Sequence, residues 1–177
     1  MSELRTNRIV PRDGLPSGAS GGIIQVRSTT KNDPSSFTSG GQGSYTDVPS
    51  LSVTITPQSA SNKILILANI GGGLNNVFGY NFYWRIVRGS TPICVGDASG
   101  GGTAATGGFN RYKDDNNTGF LGTMSTTYLD SPATTSATTY KVQASGYDTS
   151  ATVYINRRGS TGVNNHTSTI TVMEVTA

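Results

Sequence analysis

The sequence predicts an all-β domain, an antiparallel β-sandwich or closed barrel, preceded by an extended N-terminal arm. Apolar and polar residues alternate with a period of two, most clearly in Leu51–Thr56, where every second side chain is apolar. Turn-forming stretches rich in Gly, Pro, Asn and Asp separate such segments along the chain. Glycine, serine and threonine, which are poor helix formers, account for 69 of the 177 residues, and no segment has the apolar spacing of an amphipathic helix.

Nine segments have the length and composition of strands. Lys63–Ile70 is a nearly continuous apolar run, which predicts a strand that is covered on both faces. In Tyr80–Arg88 the alternation predicts that Phe82 and Trp84 face the core. The predicted strands are Ile23–Val26, Leu51–Thr56, Lys63–Ile70, Tyr80–Arg88, Thr91–Gly96, Gly119–Leu129, Thr138–Ser145, Thr152–Asn156 and Ser168–Val175.

Residues 1–22 are predicted to form an extended arm and linker, and residues 23–177 the sandwich domain. Arg5, Arg8 and Arg12 alternate with small residues, and the glycines and prolines that follow interrupt any regular element. An arm of this composition has no core of its own. We therefore expect it to be disordered or docked on another surface.

Two connections are unusually rich in Gly, Asn and Asp, namely residues 71–76 and residues 100–118. A connection as long as residues 100–118 is usually functional or disordered. These loops, together with the cations of a later turn, supply the candidate surface-binding residues. They are Asn75, Asn76, Asn110, Arg111, Tyr112, Lys113, Asp114, Asp115, Arg157 and Arg158.

The composition argues against several functional classes. A formal net charge of +3 is too small to predict nucleic-acid binding. The longest apolar run, residues 64–68, is far shorter than the roughly 20 residues that cross a bilayer. A single cysteine, Cys94, and a single histidine, His166, allow neither an internal disulfide nor a Cys/His zinc site. We expect no cofactor, no metal, no nucleic-acid partner and no membrane insertion.

The distribution of reactive residues favours a protein without catalytic activity. His166 lies in a turn-like stretch, with no nucleophile-elbow motif in the sequence, and is expected to be an exposed turn residue. Cys94 has apolar neighbours and is expected to be buried as a small hydrophobic residue. Asp114 and Asp115 lack the spacing of a calcium loop, so a self-capped turn is expected there. No pair of carboxylates for glycoside hydrolysis stands out.

Aromatic residues are the alternative source of binding chemistry. Tyr80, Tyr83 and Trp84 are candidates for a platform that stacks on sugars or bases, although the alternation places Trp84 in the core.

Several short segments between residues 21 and 177 have the sequence pattern of a strand, a turn and a further strand. They are Gly21–Val26, Leu51–Pro57, Ser61–Ile66, Arg88–Thr91, Gly96–Ser99, Leu129–Thr135, Thr152–Arg157 and Ser168–Val175. These strings resemble structural virion proteins of marine tailed phages, particularly tail-fibre-like proteins of phages that infect cyanobacteria. The start of the chain resembles the openings of fibre-like phage proteins, over Leu4, Arg5, Thr6, Asn7, Arg8, Ile9, Val10 and Pro11.

The resemblance implies a jelly-roll-like module, similar to tumour-necrosis-factor and complement-head domains, that assembles as a homotrimer. It also implies a location on the virion, at the tail or on the exterior of the capsid. The arm, over the residues just named, would dock onto other tail or capsid proteins by strand addition or by threading into a groove. The loops would face a host surface glycan or neighbouring subunits.

Three functions are compatible with this interpretation. The first is a tail-fibre or receptor-binding protein that attaches the particle to the host through many weak contacts. The second is a capsid decoration protein that stabilises the shell. The third, a carbohydrate depolymerase, requires a pair of acids that the sequence does not provide.

Overall fold

The computed structural model describes residues 22–74, 81–100, 102–110, 120–159 and 164–177. These residues form an all-β fold of eleven strands. The predicted arm therefore lies outside the described residues, apart from its last residue, Gly22. The strands are β1 (Ile23–Lys31), β2 (Ser35–Thr38), β3 (Thr46–Ile55), β4 (Lys63–Leu74), β5 (Asn81–Arg88), β6 (Thr91–Ile93), β7 (Gly107–Asn110), β8 (Phe120–Asp130), β9 (Thr138–Gly146), β10 (Thr152–Ile155) and β11 (Ser168–Val175).

The strands form two antiparallel sheets that pack face to face. In the six-stranded sheet, β4 is central: β11 and β10 pair with one of its edges and β8 with the other, while β1 lies beside β11 and β2 beside β10. In the five-stranded sheet the order is β3-β9-β5, with β6 and β7 both paired to β5.

The order of the long strands is that of a jelly roll. Strands β1, β11, β4 and β8 make one layer, and β3, β9, β5 and β7 make the other. Along the chain, the eight strands pass between the layers as in the double Greek key of jelly-roll proteins. The predicted fold class, a jelly-roll-like antiparallel sandwich, is confirmed.

The core lies between the sheets and consists of the alternate residues that the sequence pattern marks as apolar. Ile64, Ile66 and Ile170 of the six-stranded sheet are completely buried, as is Phe82 of the five-stranded sheet. Trp84 is 1% exposed. The prediction that Phe82 and Trp84 face the core is confirmed, and most of the favourable free energy of folding comes from this burial.

The structure corrects the prediction that Lys63–Ile70 is covered on both faces. Along β4, Ile64 and Ile66 are buried, but Leu67 on the opposite face is 38% exposed. The continuous apolar run therefore has one face in the core and one face on the molecular surface.

Two predicted loops contain strand. Residues 71–74, the start of the first glycine-rich connection, are the buried end of β4 and pair with β8 and β10. At position 72 there is no room for a side chain, because a Cβ added at Gly72 would lie 2.3 Å from the Phe82 ring. Within the second connection, Gly107–Asn110 forms β7 and pairs with β5. A further strand, β2, was not predicted, and the predicted strand Thr91–Gly96 ends at Ile93, because Cys94 has a φ of 54°.

Candidate functional site

The outer face of the five-stranded sheet carries several paired charged and aromatic side chains. Asp47 on β3 accepts hydrogen bonds from Lys141 Nζ at 2.7 Å and from Gln143 Nε2 at 2.6 Å, both on β9. Burial raises the pKa of Asp47, but these two hydrogen bonds outweigh it and hold the pKa below its usual value. This face is therefore polar, with its charges largely paired.

Arg85, on β5, continues this polar face. Its guanidinium carbon lies 4.0 Å from the centre of the Tyr45 ring, and its Nε donates to Gln143 Oε1 at 2.8 Å. The Tyr45 hydroxyl donates to the carbonyl of Ala104 at 2.9 Å, and burial raises the pKa of Tyr45 to about 12. These contacts fix the connection after β6 against the sheet.

A depression of about 350 Å³ lies on the same face, where β5 meets β7. Its polar lining comes from Asn81 and Tyr83 on β5, Asn110 at the end of β7, and Asp97 and Thr103 in the connection between β6 and β7. A volume of this size is in the range of small-ligand sites.

Glycine allows the two strands at the depression to approach each other. A Cβ at Gly108 would lie 2.6 Å from the carbonyl oxygen of Phe82 and 3.1 Å from Tyr83 Cδ1. The next residue, Phe109, points inward and stacks on Phe82 with the ring centres 5.2 Å apart. This stacking ties β7 to the core, so the lining is held by a rigid sheet.

Asn81 and Tyr83 form a polar pair within the lining. Asn81 Nδ2 donates to the Tyr83 hydroxyl oxygen at 2.5 Å. Asn81 Oδ1 is buried and has no hydrogen-bond partner among the described residues. A buried acceptor of this kind is costly, because no donor among the described residues offsets its loss of hydration.

The outer face of the six-stranded sheet is different in character. Val26, Met173, Leu65 and Leu129 are directly opposite one another in the register of β1, β11, β4 and β8, and form one apolar row across four strands. Val26 is 52% exposed and Leu129 is 47% exposed. We call these four residues the apolar row.

On one side of the apolar row the outer-face neighbours are uncharged, whereas the row on the other side includes exposed Lys63 of β4. The next row in register is Ser28, Thr171, Leu67 and Thr127, and the one after it is Thr30, Thr169, Asn69 and Ser125. Of the six large hydrophobic residues that are exposed in the described part of the chain, five belong to strands of this sheet. A face with contiguous apolar side chains is typical of surfaces that contact another protein.

At the far end of this face lies a second depression, lined by Asn69, Thr123, Asn165 and His166 among others. His166 Nδ1 and the Thr123 hydroxyl are 2.9 Å apart. The backbone N–H of His166 donates to the carbonyl of Asn156 at 2.9 Å. His166, predicted to be an exposed turn residue, is thus half-buried and held in place.

The sequence-predicted loop residues are only partly within the described chain. Asn110 is exposed and lines the depression beside Tyr83. Arg157 is half-buried: its guanidinium lies 5.0 Å from the centre of the Tyr154 ring, and its Nη2 donates to the Gly159 carbonyl at 2.9 Å. Arg158 is also half-buried, and neither arginine lines the depression. Outside the described residues lie Leu4, Arg5, Asn7, Arg8, Ile9, Val10, Pro11, Asn75, Asn76, Arg111, Tyr112, Lys113, Asp114 and Asp115.

The sequence predicts some of the residues that line the depression between β5 and β7, but not all of them. Tyr83 was identified by its aromatic ring and Asn110 by its loop composition, whereas Tyr80 lies outside the described residues. Asn81 and Asp97 belong to no sequence motif that would mark them as binding residues. Only the pairing of β5 with β7 brings them together. The alternation of β5 was the one signal that placed Asn81 on the same face as Tyr83.

Other chemistry is limited in the described parts of the chain. They contain no group of three or more His, Cys, Asp and Glu residues placed to hold a metal ion. They also contain no helix of the length and hydropathy needed to span a bilayer. Cys94, expected to be buried, is partly exposed and unpaired.

No protein-family model matches the chain, and no curated protein matches it.

Proposed function

We propose that the protein is a structural virion protein of the tail-fibre or receptor-binding type that attaches the particle to the host surface without catalysis. In this proposal the N-terminal arm anchors the chain to other tail or capsid proteins. The six-stranded sheet faces copies of the same chain, in a homotrimer. The five-stranded sheet faces outward.

The observation that carries the proposal is the contrast between the two outer faces. The apolar row and the two uncharged rows on one side of it offer a surface for contact with another copy. The opposite face carries paired charges, an arginine on a tyrosine ring and the depression beside Tyr83. A sandwich with one face for assembly and one for ligands suits an attachment protein, because several copies multiply weak binding at each site.

A capsid decoration protein is the second candidate, and the apolar row also favours it. The row can pack on shell subunits as well as on copies of the same chain. In that case the particle needs the protein for resistance to heat or osmotic shock, while adsorption to the host does not depend on it.

Localisation on the particle tests the proposal. Antibodies against the sandwich domain, seen by gold labelling of phage particles that carry this gene, are expected to mark the tail or its fibres. Removal of residues 1–14 should leave a folded oligomer that is no longer incorporated. Labelling spread over the shell would favour the decoration function. Normal incorporation of the truncated chain would contradict anchoring by the arm.

A further inference from the structure

We propose that the depression between β5 and β7 binds a neutral, hydroxyl-rich sugar unit, with Tyr83, Asn81, Asp97 and Asn110 as the contacting residues. This inference rests on the attachment function proposed above and names its ligand class.

The chemistry of the lining fits a sugar. Tyr83 offers an aromatic ring that is partly exposed, and stacking on such rings is how proteins bind the apolar C–H face of a sugar. The carboxylate of Asp97 accepts hydrogen bonds, and the amide of Asn110 can both donate and accept them. Adjacent sugar hydroxyls, each a donor and an acceptor, match this combination.

The pair of Asn81 and Tyr83 supplies a hydrogen-bond donor for the ligand. Asn81 Nδ2 is already used, because it donates to the Tyr83 hydroxyl, and Asn81 Oδ1 is buried beyond the reach of a ligand. The Tyr83 hydroxyl accepts that bond and so keeps its own hydrogen for donation. A ligand hydroxyl can therefore accept a hydrogen bond from Tyr83, while Asn81 holds the Tyr83 hydroxyl in place.

The charge of the lining selects neutral ligands. Asp97 is the one charged residue in the described lining of the depression. The nearby guanidinium of Arg85 is already held by the Tyr45 ring and by Gln143. A carboxylate or sulfate on the sugar would meet Asp97 without a described cation to offset the repulsion.

Titration of the purified full-length protein with methyl glycosides tests this inference. Neutral probes are the methyl glycosides of glucose, galactose, mannose and N-acetylglucosamine, and acidic probes are those of glucuronic acid and N-acetylneuraminic acid. Calorimetry gives the affinity, and shifts of the amide NMR signals locate the site. At least one neutral probe is expected to bind, with shifts centred on Tyr83 and Gly108.

Variants assign the binding to the named side chains. Tyr83→Ala should weaken binding about tenfold or more, and Asn81→Ala should weaken it several-fold. The matched control is Tyr147→Ala, which removes a tyrosine that is 46% exposed and does not line the depression, and it should leave binding unchanged. Asp97→Asn should narrow the gap in affinity between the neutral and the acidic probes.

Three results would overturn the inference: no binding of any neutral probe, tightest binding of an acidic probe, or equal effects of Tyr83→Ala and Tyr147→Ala. Failure here is distinct from failure of the attachment function. A protein found on tail fibres that binds none of these glycosides refutes the sugar site alone, whereas a protein that binds them but decorates the shell refutes the fibre function.

Discussion

Arg88 and Asp130 connect the two sheets of the sandwich through one guanidinium nitrogen. Arg88 Nη1, on β5, donates to both carboxylate oxygens of Asp130, at the end of β8, at 2.7 and 2.9 Å. The Tyr140 hydroxyl on β9 donates to Asp130 Oδ2 at 2.7 Å, so a carboxylate at the edge of one sheet has two donors on the other. Asp130 is only 3% exposed, so these two donors replace the water that its carboxylate loses on folding.

Asp130→Asn is expected to lower the free energy of unfolding by about 2–3 kcal/mol, because it removes the charge that Arg88 pairs with and an acceptor for Tyr140. The partial exposure of Arg88 keeps the cost below that of a fully buried pair. Urea denaturation measures the change. The control is Asp47→Asn, which breaks the more exposed pair with Lys141 and should cost less than about 1 kcal/mol. Equal costs for the two variants would refute a special role for Asp130.

The pKa values of Tyr45 and Tyr140 predict a loss of stability in alkali. Burial raises the pKa of Tyr45 to about 12, and burial together with the hydrogen bond to Asp130 raises the pKa of Tyr140. Because the folded state holds both protons more tightly than the unfolded chain, this stability is complete below about pH 10 and is lost as pH rises through the folded values. For Tyr45 the window is pH 10 to about 12.

Denaturation curves at a series of alkaline pH values check this prediction. Tyr45→Phe should flatten the decline of the free energy of unfolding in that window, while Tyr147→Phe, at a half-exposed position, should not. An unchanged slope in Tyr45→Phe would contradict the assignment.

Gly72 is expected to be essential for the packing of Phe82. Gly72→Ala should cost about 2–3 kcal/mol, because the added methyl group meets the Phe82 ring across the core. Phe82→Leu, which shortens that side chain, should recover part of the loss in the double variant. Thermal or urea denaturation of both single variants and the double variant gives the coupling. If the losses of unfolding free energy in the two single variants add up to the loss in the double variant, the two residues do not compete for the same space.

Asn156 holds the ends of three strands together. Its Nδ2 donates to the Lys31 carbonyl at 2.7 Å, its Oδ1 accepts from the Ser168 hydroxyl at 2.6 Å, and its backbone N–H donates to the Gly71 carbonyl at 2.8 Å. Asn156→Ala should cost about 3 kcal/mol, since it leaves buried polar groups unpaired and places alanine at a φ of 59°.

Asn156→Gly separates these two effects. It tolerates the positive φ but lacks the amide, so it should be more stable than Asn156→Ala and less stable than the natural protein. Denaturation midpoints provide the measurement. If the denaturation midpoint of Asn156→Gly equals that of the natural protein, the side-chain hydrogen bonds contribute nothing to stability.

The alternation of apolar residues predicted most of the sandwich, because each strand buries one face in a common core. It predicted Ser168–Val175 with its observed bounds and placed Trp84 and Phe82 in the core. The alternation did not predict the structure of segments in which strand pairing and local packing, rather than the burial of one face, determine the conformation. Gly71–Leu74 has the composition of a loop, but it continues the pairing of β4 with β8 and β10, and the missing side chain at Gly72 leaves room for the Phe82 ring.

The candidate site was less predictable than the fold. Its side chains come from β5, from β7 and from a connection, and a period of two says nothing about which strands are neighbours.

The sheet order also explains why the apolar run of β4 is continuous. Leu65 and Leu67 are apolar although they face outward, and the register places Leu65 in a row with Leu129. Sequence shows the surplus of apolar residues, but only the sheet order shows that they form one surface.

Sedimentation equilibrium of the full-length protein tests the central claim most directly, namely that the outer face of the six-stranded sheet is covered by other copies of the chain. The natural protein should sediment as a trimer. Thr127→Lys, next to the apolar row, should dissociate it, whereas the same change at exposed Thr54 on the opposite face should not. A natural protein that remains monomeric over the accessible concentrations, or a trimer that survives Thr127→Lys and dissociates in Thr54→Lys, would contradict the account.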